Sequence, residues 1–259
     1  MSAESGAIRS IWRYPVKSML GESLESASVT ERGVDGDRTY AVGDPLTGRV
    51  LSAKREPALM TFRARLEGRG AVNVTFPDGR DLPVTDPLVE QELSELVGRT
   101  LVVVQAGVGV PPRIEMGETS ATTEGPASEF QGAAGTFFDS AEIHIVTTSS
   151  LAALRTLSPG SRIDERRFRP NFLVETDEFS EQFVEEEWVG RRVKIGSEVE
   201  IDVIKPCGRC VMVTHAQDEL PRDKKVLQTV ARRNENNLGV LATVVAGGRV
   251  RLGDRLVVT

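Results

Sequence analysis

The sequence predicts an α+β protein that is predominantly β. It divides into an N-terminal β-barrel-like domain over residues 1–105 and a C-terminal β-barrel domain with a few helices over residues 106–259. Three observations carry this. Residues 1–86 are short apolar-alternating runs broken by Gly, Asp and Pro. Two hairpin patterns lie near the C-terminus, and only three segments repeat their apolar residues at helical spacing. That balance favours barrels over a parallel layered sheet.

The elements follow in order. "AIRSIWRYPV" is apolar and β-leaning, and stops at Pro15. "LESASVTERG" and "DRTYAVGD" alternate as strands around the turn "RGVDGD", and "FRARLEG", "AVNVTFPDGR" and "DLPVTD" continue in that manner. "PLVEQELSELVG" changes period: Leu88, Val89, Leu93, Leu96 and Val97 form a helical stripe that Gly98 ends. Residues 106–135 show no sustained period and read as a long surface connection with a domain boundary at its start. In "AEIHIVTTSSLAALRTL", a strand from Ile143 to Val146 runs into a helix with Leu151, Leu154 and Leu157 inward. Thr147, Thr148, Ser149 and Ser150 between them are N-cap residues, and such a helix start also suits an anion. "RRVKIGSEVEIDVIKP" is a hairpin turning at Gly196-Ser197, and "GRVRLGDRLVV" is another at Gly253-Asp254. "PRDKKVLQTVARR" is a helix with Asp223 early, Val226, Leu227 and Val230 inward, and Arg232-Arg233 in its last turn.

Bulk properties narrow the function. The chain has 259 residues, 39% hydrophobic and 27% charged, which fits a soluble globular protein. A net charge of −6, a pI near 5.2 and 5% aromatics argue against nucleic acid as a partner. No apolar run is long enough to cross a bilayer and no signal core opens the chain, so neither membrane nor export is expected. With two cysteines, a cytoplasmic, reducing setting is the simpler expectation.

Both cysteines sit in "KPCGRC", as Cys207 and Cys210. A redox dithiol works best at a helix N-terminus, whereas this motif follows a strand and precedes "VMVT", which reads as extended. Structural zinc needs four ligands, and only the distant His144 and His215 could join. Inert thiols, a thiolate favoured by Lys205 and Arg209 that binds a soft metal, and a persulfide carrier all stay open. A single thiolate leaves a metal to arrive on a cofactor. A phosphorylated cofactor would need cations and hydroxyls, which "YPVKS" offers in Lys17 and Ser18, "DGDRTY" in Arg38, and "RRFRPNFLVE" in Arg169 and Asn171.

"YPVKS", "GVDGDR", "FRPNFLVE" and "PCGRC", in this order and spacing, resemble MOSC-domain proteins with an N-terminal β-barrel domain. That group includes the mitochondrial amidoxime-reducing components and their bacterial relatives. The likeness covers residues 7–66 and 137–258. It implies a molybdenum–molybdopterin cofactor with Cys210 as metal ligand and catalytic residue, Cys207 as its neighbour, and Lys17, Ser18, Arg38, Thr147, Thr148, Arg169 and Asn171 as cofactor anchors. It implies reduction of small N-hydroxylated compounds, with electrons from a separate ferredoxin-like or haem protein, since the chain lacks the iron–sulfur domain of some relatives. Pyridoxal phosphate binding is also associated with the family. The alternative it implies is a carrier that transfers molybdenum cofactor or persulfide sulfur. His215 is a further candidate proton donor.

Overall fold

The alternating runs become strands in the computed structural model, which describes residues 5–107, 113–116, 128–131, 135–176 and 182–259. In the N-terminal half they are β1 (Ser5–Arg13), β2 (Glu22–Leu24), β3 (Ser26–Thr30), β4 (Gly33–Val34), β5 (Tyr40–Asp44), β6 (Arg49–Val50), β7 (Arg63–Leu66), β8 (Val72–Thr75) and β9 (Asp81–Pro83). Helix α1 (Pro87–Val97), β10 (Val102–Gln105), β11 (Arg113–Met116) and β12 (Ser128–Gln131) follow. Next come β13 (Ile143–Thr147), α2 (Thr148–Leu157), β14 (Phe172–Thr176), β15 (Arg192–Ile195) and β16 (Val199–Gly208). Helix α3 (Lys224–Arg233), β17 (Asn237–Ala246), β18 (Gly248–Arg251) and β19 (Arg255–Val258) complete the chain.

The largest sheet runs β14-β13-β17-β16-β15-β19-β1-β2, and pairing of β14 with β1 closes all but β2 into a barrel. The protein is therefore mostly β with three α-helices among the described residues. Inward residues such as Ile8, Ile11, Ile145, Phe172, Ile201, Val240 and Leu256 fill the barrel at the strand period of two. A second core, around Met19, Leu51, Leu59, Phe62, Val74 and Leu93, lies under the small sheets β10-β5-β6-β11-β12 and β7-β8-β9.

The two halves interlock. Strand β1 belongs to the barrel of the C-terminal half, where it pairs with β14 and β19, and β3 pairs with β18. Conversely, residues read as a long surface connection contain β11 and β12, an antiparallel pair that joins β6 of the N-terminal sheet. Ile114 is fully buried there, which is why the segment is not a plain loop. The rest of that connection, 108–112, 117–127 and 132–134, lies outside the described residues.

Helix α1 has the expected ends: Asp86 accepts from the Leu88 amide, Pro87 opens the first turn, and Gly98 closes it at φ +77°. Its stripe is narrower than predicted. Val89 and Leu93 are buried, while Leu88 and Leu96 stand in solvent. "VMVT" differs as well: residues Val211–Thr214 form a 3₁₀ turn capped by Cys210, not an extended strand. No described helix is long and apolar enough to cross a membrane.

Candidate functional site

Three of the sequence motifs are tied together by backbone hydrogen bonds. After Pro15 leaves β1, the Lys17 amide donates to the Tyr40 carbonyl at 2.8 Å, the Tyr40 amide to Pro15 at 3.0 Å, and the Arg38 amide to Tyr14 at 2.8 Å. "YPVKS" and "DGDRTY" thus lie side by side. The loop before β14 joins them: the Trp12 amide donates to the Asn171 carbonyl, and the Asn171 amide to His144, each at 2.8 Å. Asp37 is the hub. Its carboxylate accepts from the Tyr14 amide at 2.7 Å, from Asn171 Nδ2 at 3.1 Å and from the Arg38 guanidinium.

Tyr14 contacts two like charges. The Arg38 and Arg169 guanidiniums lie 4.9 and 4.1 Å from its ring centroid. Burial brings the Arg169 pKa down to about 10, and its Nη1 donates to the Met19 carbonyl at 2.7 Å. Lys17 is also buried, which lowers its pKa; its Nζ donates to the Phe137 carbonyl at 2.8 Å and to Asp139 at 2.6 Å. Partial desolvation raises the Asp139 carboxyl, but the Lys17 and Lys54 ammoniums outweigh this and hold it below the ordinary carboxylate range. Ser18 Oγ accepts from the Ala53 amide at 3.0 Å, leaving its hydroxyl proton available.

These groups line a cleft of about 640 Å³ at one end of the barrel. Its other wall is the end of β16, where register shifts against β17 fall between Val203 and Lys205 and between Pro206 and Gly208. A regular strand would turn alternate residues away. The irregularities bring consecutive residues, Lys205 through Cys210, to the cleft. Six cationic side chains line it (Lys17, Arg38, Lys54, Arg169, Lys205 and Arg209) against one carboxylate, Asp139. On a chain of net charge −6, that concentration of cations suits an anion.

Backbone strain gathers at the same place. Of six described non-glycine residues with positive φ, Ser18 (+69°), Arg38 (+51°), Arg169 (+55°) and Asn236 (+65°) line the cleft. Such conformations cost of order 1–3 kcal/mol each and persist where surrounding bonds over-determine them.

Both cysteines are free thiols and half-buried. Arg209 Nη1 donates to Cys207 Sγ at 2.9 Å, yet burial prevails and pushes the Cys207 thiol up. The expected thiolate-favouring charge is therefore spent on Cys207 without overcoming its desolvation. Arg209 Nη2 donates to the Phe168 carbonyl at 2.8 Å, and Nη1 also lies 3.3 Å from His144 Nε2. Burial first and Arg209 second depress the His144 pKa far below its usual value, so the ring is neutral. Its Nδ1 carries the proton toward the Arg169 carbonyl, 3.3 Å away, and Nε2 accepts from Arg209. Arg209 Nε is buried without a hydrogen-bond partner among the described residues. Asn236 Nδ2 fixes the Arg209 carbonyl at 2.6 Å.

Of the residues singled out in the sequence, Lys17, Ser18, Arg38, Arg169, Asn171 and Cys210 meet in this cleft. Thr147 and Thr148 do not. Thr147 sits three residues along β13 from His144, roughly 10 Å at strand rise. Its hydroxyl accepts from the Ser150 amide at 3.2 Å and donates to buried Glu185 at 2.7 Å, while Thr148 Oγ1 accepts from the Thr176 amide at 3.4 Å. The Thr147 hydroxyl therefore caps α2, and the Thr148 hydroxyl ties its first residue to the end of β14. His215 is buried away from the cleft lining, with burial lowering its pKa. The site residues not anticipated are Asp37, Lys54, Asp139 and Asn236, together with the role of His144. Asp37 had a signal, since it sits inside "DGDR" beside Arg38. Among the described residues, no three His, Cys, Asp or Glu side chains are grouped to hold a metal ion.

Comparison with known proteins gives matches over most of the chain. A MOSC domain family model matches residues 133–257, and a MOSC N-terminal beta barrel domain model matches residues 5–100. Mitochondrial amidoxime reducing component 2 of Rattus norvegicus is 26% identical over 245 residues, covering 85% of this chain and 70% of the relative. Molybdenum cofactor sulfurase of Oryza sativa subsp. japonica is 23% identical over 260 residues, covering 86% of this chain but only 30% of that protein. The crystal structure of the YUAD protein from Bacillus subtilis superposes with a TM-score of 0.52 at 12% identity, over 99% of this chain and 97% of that one. That last likeness is one of fold.

Proposed function

Because the chain belongs to the MOSC-domain proteins, with a MOSC N-terminal beta barrel domain ahead of the MOSC domain, we propose that its cleft binds molybdenum–molybdopterin and reduces N-hydroxylated compounds. The observation that carries this reading is the convergence of six cations and two free thiols in one cleft of an acidic protein. The reading draws further support from relatives named for amidoxime reduction and for molybdenum cofactor sulfuration.

The residues fit such a group chemically. Lys17, Arg38 and Arg169 would neutralise its phosphate, with the Ser18 hydroxyl as a donor; Cys210 would give one sulfur to the metal. The orphaned Arg209 Nε is a donor awaiting an acceptor in the same wall. When bound, the cofactor supplies two-electron removal of oxygen and is re-reduced by single electrons. The protein orients and balances charge. Asp37, the Met19 carbonyl and the Tyr14 ring hold Arg38 and Arg169 in place, so their donors would need little reorganisation when an anion arrives. Neutral His144 fixes Arg209 over Cys207. Overall, an amidoxime takes up two electrons and two protons and leaves as amidine plus water.

The test is single turnover. Protein from a host that makes the cofactor is reduced with dithionite without air and mixed with benzamidoxime. Benzamidine formation is the expected result. No product from cofactor-loaded protein would instead favour a carrier of cofactor or persulfide sulfur.

A further inference from the structure

Helix α3 carries a dense set of exposed cations. Lys224 and Lys225 occupy its first turn, where the helix dipole disfavours cations, and the one acid at that end is the N-cap Asp223. With Arg222 before the helix and Arg232 and Arg233 in its last turn, five exposed cations gather within residues 222–233. None makes an ion pair among the described residues. Acids at the helix ends include Asp223, whose carboxylate accepts from the Lys225 amide at 2.9 Å, Glu235, and Glu186, which accepts from Asn234 Nδ2 at 2.6 Å. Lys225 and Arg232 are seven residues apart, two turns along one face, with exposed Gln228 between them. Asp223 caps the helix start and Arg232 and Arg233 suit its end, so what remains unexplained is the cluster of exposed cations that no described acid pairs with.

The helix is also coupled to the cleft. Val226 and Val230 pack with Val213 of the 3₁₀ turn that Cys210 caps. At its other end, Asn236 lines the cleft and holds the Arg209 carbonyl. Because Val226 and Val230 are buried, α3 has no apolar face left to enter a lipid surface.

We propose that the outward face of α3, centred on Lys225 and Arg232, docks an acidic, single-electron-carrying protein. The inference rests on the reductase reading above, whose reaction consumes two electrons that neither amidoxime nor water provides. Opposite charge would steer the carrier onto a helix whose inner face packs against the Cys210 turn, in the manner of weak, fast electron-transfer encounters.

The experiment uses the cofactor-loaded full chain, wild type and Lys225→Glu/Arg232→Glu, with an acidic [2Fe–2S] ferredoxin as the probe. Three quantities are read: ferredoxin binding across ionic strength, benzamidoxime turnover driven by ferredoxin, and turnover driven by dithionite. The expected result is at least a tenfold loss of ferredoxin binding and ferredoxin-driven turnover at low salt, a flatter salt dependence, and unchanged dithionite turnover. Unchanged ferredoxin binding in the variant overturns the proposal, as does no detectable binding by wild type. Wild-type binding to anionic phosphatidylserine vesicles that the variant loses, without any effect on ferredoxin, overturns it in favour of a membrane surface. If dithionite turnover fails in wild type as well, the reductase reading has failed, while the binding arm still judges the docking face.

Discussion

Replacing Gly239 with alanine tests how the cleft wall is held. Gly239 sits at φ +80°, and a Cβ there would lie 2.5 Å from His144 Nε2, 2.6 Å from the Ile145 carbonyl oxygen and 2.9 Å from Val146 Cγ2. The positive φ alone costs an L-residue roughly 1–2 kcal/mol. The contacts add overpacking of about 1–3 kcal/mol, because one obstacle is backbone in the centre of the barrel and another is a ring held from both sides. Gly239→Ala should therefore lose roughly 2–5 kcal/mol. Gly253→Ala is the control, since Gly253 has φ +82° with nothing within 4 Å of a Cβ. It should lose only the conformational part, about 1–2 kcal/mol. Urea unfolding of both variants with a shared m-value reads the difference directly. Equal losses would refute the claim that Gly239 is required by the close approach of His144.

Other outcomes follow from the same geometry. His144 and His215 are both held neutral by burial. Their folded pKa values lie below the unfolded value, so the unfolded chain binds more protons and stability falls as pH drops below about 6.5, by up to about 1.4 kcal/mol per unit for each ring. His144→Leu should flatten that slope by one proton in urea titrations between pH 6.5 and 5. Asp37→Ala leaves the Tyr14 amide and the Arg38 guanidinium without their acceptor. It should cost roughly 3–5 kcal/mol in thermal or urea unfolding. Thr147→Ala should cost about 0.5–2 kcal/mol as a lost helix cap while cofactor content stays at the wild-type level. A fall in cofactor content without a fall in stability would contradict the placement of Thr147 outside the cleft.

Local chemistry was the legible part. Asp86, Pro87 and Gly98 mark α1 because caps are read from neighbours in sequence, and the glycine turns at 196 and 253 are set by the same local rule. Six of the cleft residues were legible because their motifs carry charge or sulfur. What the sequence did not show is set by long-range pairing. Nothing within "AIRSIWRYP" says that β1 will close a barrel against β14, more than 150 residues later in the chain. Nor do the residue types at Ser18, Arg38 and Arg169 announce positive φ, which surrounding hydrogen bonds impose. In the "TTSS" segment the residues by themselves favour capping and the resemblance favours anion binding; Thr147 caps α2 and also donates to Glu185, 38 residues beyond it, a contact no local pattern shows.

The central claim is that this cleft holds molybdenum–molybdopterin through Cys210. Its most direct test is the molybdenum and pterin content of protein purified from a cofactor-producing host, wild type beside Cys210→Ala, with X-ray absorption to count sulfur ligands. Stoichiometric metal and pterin in wild type, with one fewer sulfur on the metal in Cys210→Ala, is the predicted result. Wild-type protein carrying neither metal nor pterin, from a host shown to load another molybdenum enzyme, would contradict it.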